Sequence, residues 1–332
     1  MVMTFTDYVN DIMVKNFLAY MEIEKGSSKN TIRGYAHDLY TLILWLQENN
    51  YITDPNNVNW GQITIFHLRG FLAYLHNNRE NKPSSIHRRV CTLKGFFKFL
   101  RSNKVIENDP AEDLSYPKRA KSLPKFLPTN DMEKLLNSKK KSQMHQTVLE
   151  VLYSTGARCN EVRNINLDDI EFNYREVVNE SGEVEKLLTG QIMIRGGKGS
   201  KDRLVLLTNR AARAIQAYIE GERKQVIEKT IKKHGSISDD ARKALFLSNR
   251  GKRVANRTIQ HFISKISEAT GVRHTTPHMI RHSFASHLVM NKTNIRAIQQ
   301  LLGHSSLDTT QIYANITPDY LRNEFEGNLP IK

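Results

Sequence analysis

A proline-rich basic segment near the middle of the chain sets the strongest limit on how the chain can fold. Residues 115–129 read SYPKRAKSLPKFLPT, with three prolines, four cations and no acidic residue. Proline lacks the backbone N–H that helices and sheets use, so this composition favours an extended tether. The 332 residues also exceed what one compact core usually holds. We therefore predict two domains, 1–116 and 129–332, joined by a linker at 117–128.

The part before this linker has the hydrophobic spacing of helices. Apolar residues recur at helical intervals over 7–20, 31–46, 63–75 and 84–100, which predicts an all-helical domain. The last of these segments is basic, and no acidic residue lies between Glu80 and Glu107. Its cations fit either a DNA-facing surface or the solvated face of a core helix. They are Arg88, Arg89, Lys94, Lys98 and Arg101.

The part after the linker mixes helices with a few strands. Thr129 and its two polar neighbours can cap a helix that runs through Leu135 and Leu136, and residues 146–154 predict another. Residues 170–178, 191–194 and 204–207 predict a small antiparallel sheet, with 178–190 as a hairpin turn that has polar flanks. Residues 223–242 predict a helix and a surface loop. The expected fold is mainly α with a small antiparallel β-sheet.

The charge balance favours a polyanionic partner. Lys and Arg number 49 against 34 Asp and Glu, a formal charge of +15. Such an excess favours nucleic acid through counterion release, although it also aids solubility, and anionic membrane surfaces are a weaker candidate. A basic linker can lie along a phosphate backbone, so Lys118, Arg119 and Lys121 are further candidates for DNA contact.

The composition also bears on the compartment. Cys91 and Cys159 are the only cysteines and lie far apart, which argues against a disulfide framework or a cysteine-based zinc site and fits a reducing cytoplasm. No window is long and apolar enough for a membrane span, and the N-terminus lacks a secretory core. We expect a cytoplasmic protein without a membrane partner.

The first motif with chemical potential is TGARCNEV at 155–162. A Thr-Gly turn delivers a helix that starts near Arg158, and Glu161 three residues later shares its face and can orient the guanidinium. An arginine held in this way could grip two phosphate oxygens. Without further context, an Arg and a Glu at this spacing also fit an ordinary surface pair.

The second motif is RGGKGSKDR at 195–203, between two predicted strands. It differs from the nucleotide-binding P-loop, which requires Ser or Thr after the lysine at a strand-to-helix turn, whereas Gly199 follows Lys198 here. The motif instead predicts a glycine-rich β-turn that presents Lys198 on its tip, where it could reach into a neighbouring site.

The third motif is TTPHMIRH at 275–282, which has the signals of a helix start. His278 and Arg281 are three residues apart near that helix N-terminus, a position that attracts anions. His278 and His282 also have a metal-like spacing, but Met279 stands where a zinc protease helix requires Glu. A structural role is favoured for His282 and His287, and no metal site is predicted.

The fourth motif is LGHSSLDTTQIYA at 302–314. A helix stops at Gly303, His304 begins the next turn, and Ser306 can cap a short helix that bears Tyr313. Tyrosine has a pKa near 10 and is a poor nucleophile unless cations stabilise its phenolate or a base takes its proton. The cations and imidazoles of the four motifs could supply that activation.

Taken in order, these motifs resemble a known family. TGARCNEV, GGKGSKDR, HMIRH, LLGH and a tyrosine nine residues after His304 are similar to the tyrosine recombinases, closest in style to the Xer and phage-integrase group. The resemblance covers nearly the whole chain and is strongest over 149–314. It implies an N-terminal SAM-like core-binding domain that clamps DNA, and an α+β catalytic domain.

The resemblance also implies roles for individual residues. Tyr313 would attack the scissile phosphate to form a 3′-phosphotyrosyl link, and Arg158 and Arg281 would hold the non-bridging oxygens. Lys198 would protonate the leaving 5′-oxygen. His278 would assist proton transfer and His304 would hydrogen-bond the phosphate. Glu161 matches the family's acidic supporting position, and no metal, nucleotide or other cofactor is implied.

The implied partner is a double-stranded DNA recombination site. Four protomers would act on two such sites, as a homotetramer or together with a related recombinase. The C-terminal segment would dock on a neighbour, although the apolar face of Tyr320, Leu321 and Phe325 could equally pack on its own body.

The chain departs from the family pattern in two ways. Ala157 and the pair Cys159 and Asn160 replace a more usual Leu-Arg-Ile-Ser run, and extra residues occur near 178–190 and 223–243. These additions exceed what compact Xer proteins have, which weakens the interpretation as a housekeeping chromosome-dimer resolvase and leaves a mobile-element integrase open. The sequence does not reveal whether the outcome is integration, excision or dimer resolution. Two other functions remain alternatives: a type IB topoisomerase, which uses similar chemistry, and a DNA-binding protein without catalysis.

Overall fold

The chain forms two compact units, Met1–Lys121 and Ser122–Lys332, each with its own hydrophobic core. This computed structural model describes residues 10–78, 83–117, 126–139, 142–178, 183–196 and 202–303. The division between the units falls inside the 117–128 segment. The linker cations Lys118, Arg119 and Lys121 lie outside the described residues.

The described part of the first unit is helical. Its helices are α1 (Ile12–Ile23), α2 (Lys29–Glu48), α3 (Ile65–Asn77) and α4 (Pro83–Ser102), with a short 3₁₀ turn at Trp60–Gln62. The predicted start of the first helix is wrong within the described residues. Asp11 has a non-helical backbone, and its carboxylate accepts hydrogen bonds from the N–H groups of Met13 and Val14, so α1 begins only after it.

The second unit contains nine described helices and three strands. The helices are α5 (Thr129–Asn137), α6 (Gln143–Thr155), α7 (Cys159–Asn164), α8 (Asn209–Tyr218), α9 (Lys224–His234), α10 (Asp239–Lys243), α11 (Asn256–Ala269), α12 (Pro277–Met290) and α13 (Ile295–Leu302). The strands are β1 (Ile170–Val178), β2 (Val184–Ile194) and β3 (Arg203–Leu207). The predicted fold class, mainly α with a small antiparallel sheet, is confirmed.

The three strands form one antiparallel sheet in the order β1-β2-β3. The register pairs Val178 with Val184 and Ile170 with Ile192, so β1 and β2 form one long hairpin. The prediction that 178–190 is a turn is therefore wrong for most of its length. The polar residues of β2 sit at its exposed end, where a strand needs no apolar alternation to pair with its neighbour.

The additional residues 223–243 are anchored by a buried arginine. Arg223 is 6% exposed and follows α8 in a single π-helical turn. Its guanidinium donates hydrogen bonds to the carbonyls of Arg242 (2.7 Å) and Ala244 (2.9 Å), among others. These bonds satisfy the buried charge and fix the end of α10, so α9 and α10 form a defined part of the unit.

The ends of several elements converge on the same region. Helix α6 is buried along most of its length, and both α8 and α12 pack on it. Its C-terminal end at Gly156, the start of α7, the first residue of β3 and the end of α13 at Gly303 are linked by hydrogen bonds and close contacts. This region contains three of the predicted site residues, Arg158, Glu161 and Arg281.

Candidate active site

The turn after α6 is built so that Arg158 starts the next helix. Gly156 ends α6 in the left-handed conformation, with φ of +58°. Arg158 then takes the N-cap position of α7, and its backbone N–H donates to Glu161 Oε2 at 2.8 Å. Its guanidinium Nη1 donates to Glu161 Oε1, also at 2.8 Å. The predicted pairing of Arg158 with Glu161 is present in the structure.

Glu161 holds a second arginine that the sequence motifs had left without a role. Arg203, the first residue of β3, donates from Nη1 to Glu161 Oε1 (3.0 Å) and from Nη2 to Oε2 (2.7 Å). Burial alone would raise the pKa of the Glu161 carboxyl, but the hydrogen bonds from Arg203 and from the Arg158 backbone outweigh it and lower the pKa to about 2. Glu161 is therefore ionised at neutral pH.

Arg281 completes the cluster from α12. The side chain is buried, and it donates to the carbonyl oxygens of Gly156 (2.6 Å) and Leu302 (2.7 Å). Burial, followed by the positive charge of Arg158, lowers the pKa of Arg281 to about 10. It remains protonated at neutral pH and holds the ends of α6 and α13 together.

The cluster carries more positive than negative charge. Arg158, Arg203 and Arg281 surround one carboxylate, that of Glu161, which leaves a net charge of about +2 in a largely buried place. The Arg158 side chain retains 29% exposure, so the cluster is open to solvent on one side. Such an arrangement is suited to bind and stabilise an anion, in particular the non-bridging oxygens of a phosphodiester.

The histidines near α12 occupy different environments. Thr276 caps the helix and Pro277 takes its first position, so His278 lies exposed in the first turn, one turn before Arg281. His287 is buried: its Nε2 donates to the Leu127 carbonyl (2.8 Å), and its Nδ1 accepts from Tyr153 Oη (2.9 Å). No cluster of three metal-binding side chains is found among the described residues.

Three predicted catalytic residues fall outside the described part of the chain. They are Lys198, His304 and Tyr313. The described residues that flank these segments in the sequence are Gly196, Asp202 and Gly303. Gly196, the last described residue before Lys198, donates its N–H to Oδ1 of Asp202, the first described residue after it (2.9 Å), and Gly303 directly precedes His304.

The predicted DNA-binding cations of α4 differ in accessibility. Arg89 is 6% exposed and lies 3.4 Å from the buried Asp38 carboxylate. Arg88 is exposed but hydrogen-bonds the same Asp38. The remaining three, Lys94, Lys98 and Arg101, line a surface cavity of about 530 Å³. Asp109 and Glu112 line the same cavity, and Arg101 pairs with Glu112 at 3.0 Å, so carboxylates partly balance the positive charge there.

A second cationic surface, which the sequence motifs did not predict, lies on α9. Residues of α9 and of the turn before α11 line a cavity of about 390 Å³ without a carboxylate. Its charged or ionisable side chains are Lys229, Lys233, His234, Arg250 and Lys252. The spacing of Lys229 and Lys233 by one helical turn is a sequence signal for a shared face, but Arg250 and Lys252 join them only through folding.

Comparison with known proteins relates both units to described families. Residues 125–319 match the phage integrase family, and residues 14–104 match the phage integrase N-terminal SAM-like domain. The tyrosine recombinase XerC of Oceanobacillus iheyensis is 32% identical over 325 residues, which cover 96% of this chain and 96% of the relative. XerD of Listeria innocua is 30% identical over 323 residues, or 96% and 98%.

Solved structures show the same fold at lower identity. A lambda integrase(75-356) dimer bound to a COC' core site aligns with a TM-score of 0.61 at 13% identity, covering 92% of this chain and 98% of that one. XerH in a post-cleavage complex with difH substrate aligns with a TM-score of 0.59 at 18% identity, covering 93% and 83%. Among the described residues, none of the helices is both long and apolar enough to span a bilayer.

Proposed function

We propose, because this chain belongs to the phage integrase family and is a site-specific tyrosine recombinase, that Tyr313 is its nucleophile. The Tyr313 hydroxyl oxygen attacks the scissile phosphorus, and the bond between phosphorus and the 5′-oxygen breaks. The products are a 3′-phosphotyrosyl link and a free 5′-hydroxyl. Attack by a 5′-hydroxyl on that link then rejoins DNA and releases Tyr313. The phosphotyrosine conserves the bond energy, so this route needs no nucleotide or other cofactor.

The arginine cluster around Glu161 is the observation that carries this proposal. In the transition state, negative charge grows on the non-bridging phosphate oxygens, and Arg158 and Arg281 are proposed to stabilise it. Support comes from their fixed hydrogen bonds and from the excess of positive charge in a mostly buried place. Because the donors are already oriented before the phosphate arrives, little reorganisation is needed during the reaction.

Proton transfer is assigned to residues near the same cluster. His278 accepts the proton of the Tyr313 hydroxyl, Lys198 gives a proton to the leaving 5′-oxygen, and His304 donates a hydrogen bond to the phosphate. The exposed position of His278, one turn before Arg281, supports its share of this assignment. The roles of Lys198 and His304 are supported by the residues that flank them in the sequence. Gly196 and Asp202, on either side of the Lys198 segment, are joined by a hydrogen bond, and His304 follows the end of α13.

Duplex DNA containing a recombination site is the proposed partner. The three exposed or half-exposed cations of α4, the linker residues Lys118, Arg119 and Lys121, and the cationic cavity of α9 would contact the phosphate backbone. The formal charge of +15 supports this assignment. Full-length similarity to recombinases favours recombination over the topoisomerase and non-catalytic alternatives.

A tetramer on two DNA sites is the proposed assembly, in the cytoplasm. Strand exchange between two sites requires four strands to be cut, one per protomer. The C-terminal segment would dock on a neighbouring protomer, formed by this chain or by a related recombinase. Exposed apolar side chains at the junction of α12 and α13 support such docking: Val289, Met290 and Ile295 are 52%, 60% and 57% exposed.

A covalent adduct with DNA is the decisive test. Sheared genomic DNA from the source organism is incubated with the protein and quenched with denaturant, and DNA attached to protein is sequenced to obtain the site. A duplex of that sequence, nicked a few nucleotides beyond the scissile phosphate, then traps the intermediate, because the short fragment that carries the free 5′-hydroxyl diffuses away and cannot rejoin. We expect an adduct for the wild type and none for Tyr313→Phe, because only the phenol supplies the attacking oxygen.

Tyr320→Phe is the matched control, because it removes a second tyrosine hydroxyl from the same C-terminal segment. It should retain the adduct. Equal adduct yields from the wild type and Tyr313→Phe would overturn the assignment of the nucleophile.

A further inference from the structure

We infer that Arg203 is a positioning residue of the active site, which fixes Glu161 and thereby Arg158 and braces the chain where it leads to His304. This inference rests on the proposed function. It concerns a residue outside the catalytic set inferred from sequence. Three features of the described residues carry it: a two-point ion pair, a close contact with glycine, and a place at the start of β3, five residues after Lys198 in the sequence.

The ion pair fixes the carboxylate from two sides. Arg203 contacts both oxygens of Glu161 with two nitrogens, while Arg158 contacts Oε1 through its side chain and Oε2 through its backbone. The planar fork of a guanidinium matches a carboxylate in this geometry, so it restricts rotation of the Glu161 side chain. Loss of Arg203 would remove two of the four hydrogen bonds that orient the Glu161 carboxylate, so the positions of Glu161 and of the Arg158 guanidinium would be less fixed.

The close contact joins Arg203 to the end of α13. A Cβ built on Gly303 would lie 2.6 Å from Arg203 Cδ and 2.9 Å from Nε, so only glycine leaves room for this side chain. Gly303 also has φ of +63°, a conformation that suits glycine. Arg203 Nε is buried and has no hydrogen-bond partner within the described residues. The arginine is thus packed against the residue that immediately precedes His304.

The place in the sheet links the same side chain to a third functional segment. Arg203 is paired with Ile194 at the start of β3, and Lys198 lies between these two residues in the sequence. It is 11% exposed, so it is poorly placed to contact DNA itself. Arg203 therefore contacts Glu161, the partner of Arg158, and Gly303, which precedes His304, and it follows Lys198 by five residues in the sequence. Because it is not part of the DNA-binding surface, its substitution should change the cleavage rate and leave DNA affinity unchanged.

The test measures single-turnover adduct formation on the nicked duplex at saturating protein, from pH 5 to 9, for Arg203→Met and Arg203→Lys. We expect Arg203→Met to slow cleavage by about 100-fold, the scale of a 1 Å misplacement, with DNA affinity unchanged within about 3-fold. Arg203→Lys keeps the charge but not the fork, so it should be intermediate.

The pH profile distinguishes positioning from a general loss of structure. Arg158 and Arg203 contact the Glu161 carboxylate, and Arg281 lies close enough to interact with it electrostatically. Removing Arg203 deletes the strongest influence that keeps the pKa of Glu161 low. Protonation of Glu161 then occurs at higher pH, so the acid limb of the cleavage rate should move upward in Arg203→Met.

Arg210→Met is the matched control. Arg210 also pairs with a buried carboxylate, Glu150 at 2.8 Å, but on α8 and without contact with the cluster. Its variant should lose stability while keeping the cleavage rate and pH profile. A wild-type rate and profile for Arg203→Met would overturn the inference, as would equal losses in Arg203→Met and Arg210→Met. A wild-type protein that forms no adduct would overturn the proposed function instead.

Discussion

Gly156 is the residue at which core packing and arginine placement meet. A Cβ at this position would lie 2.5 Å from Phe284 Cδ1 and 3.0 Å from Leu302 Cδ2, and φ is +58°. Its carbonyl oxygen accepts a hydrogen bond from Arg281. Glycine is therefore required here both by the backbone conformation and by the absence of space, so the arginine cluster around Glu161 depends on a residue that has no side chain.

The substitution Gly156→Ala should destabilise the second unit by about 2–5 kcal/mol. The left-handed backbone costs a non-glycine residue about 1–2 kcal/mol, and overpacking adds about 1–3 kcal/mol. Urea unfolding followed by far-UV circular dichroism measures the loss. Gly235→Ala is the control, because Gly235 has φ of +76° but nothing within 4 Å of its added Cβ. Losses of equal size in the two variants would show that the contact with Phe284 has no energetic weight.

The pairing of a residue could be predicted from the sequence where its partner is close along the chain. Arg158 and Glu161 are three residues apart, and their pairing follows from helical spacing. The roles of Arg89 and Arg203 could not be predicted in this way. Arg89 is held inside by Asp38, and Arg203 by Glu161, carboxylates about 40 to 50 positions away. Which of two adjacent arginines faces the core is decided by such distant partners.

Whole elements follow the same division between local and distant causes. The second to fourth helices and the small sheet could be predicted because their apolar residues repeat at regular intervals. The start of β2 could not be predicted from such a repeat. Val184 is 64% exposed and its polar neighbours are exposed as well, and pairing with β1 holds them in the strand. Likewise, the cationic cavity combines α9 with a turn that packs on it only in the folded chain.

Helix α9 should contribute to DNA affinity through one face only. Lys229 and Lys233 line the cationic cavity, whereas Lys224 and Lys232 lie on the same helix outside that lining. Each lost phosphate contact lowers the slope of log affinity against log salt by about 0.9. We expect Lys229→Gln/Lys233→Gln to weaken binding to a duplex that contains the site identified by the adduct experiment. The slope should fall by about 1–2, as measured by fluorescence anisotropy at several salt concentrations.

The control double variant, Lys224→Gln/Lys232→Gln, removes the same charge from the same helix. It should keep a slope close to that of the wild type. Equal effects in both double variants would mean that α9 acts only through net charge, and an unchanged slope in the cavity variant would remove this surface from the DNA interface.

At the scale of the whole molecule, the two units have separate cores, and a natural probe reports on only one of them. The first core contains both tryptophans of the chain, Trp45 and Trp60, which are 7% and 2% exposed. The second core is formed around α6 and contains no tryptophan. Tryptophan fluorescence therefore follows the first unit, while far-UV circular dichroism follows the helices of both.

Unfolding should consequently be separable into two transitions. With a urea slope of about 2 kcal/mol/M, the loss expected for Gly156→Ala moves the midpoint of the second unit down by about 1–2.5 M in the dichroism signal. The fluorescence midpoint should stay in place. Leu42→Ala, in the fully buried part of the first core, should do the reverse and lower the fluorescence midpoint, because a large-to-small core substitution costs about 2–5 kcal/mol. If either variant moves both signals equally, the units unfold as one cooperative block, and the separate cores do not give separate stabilities.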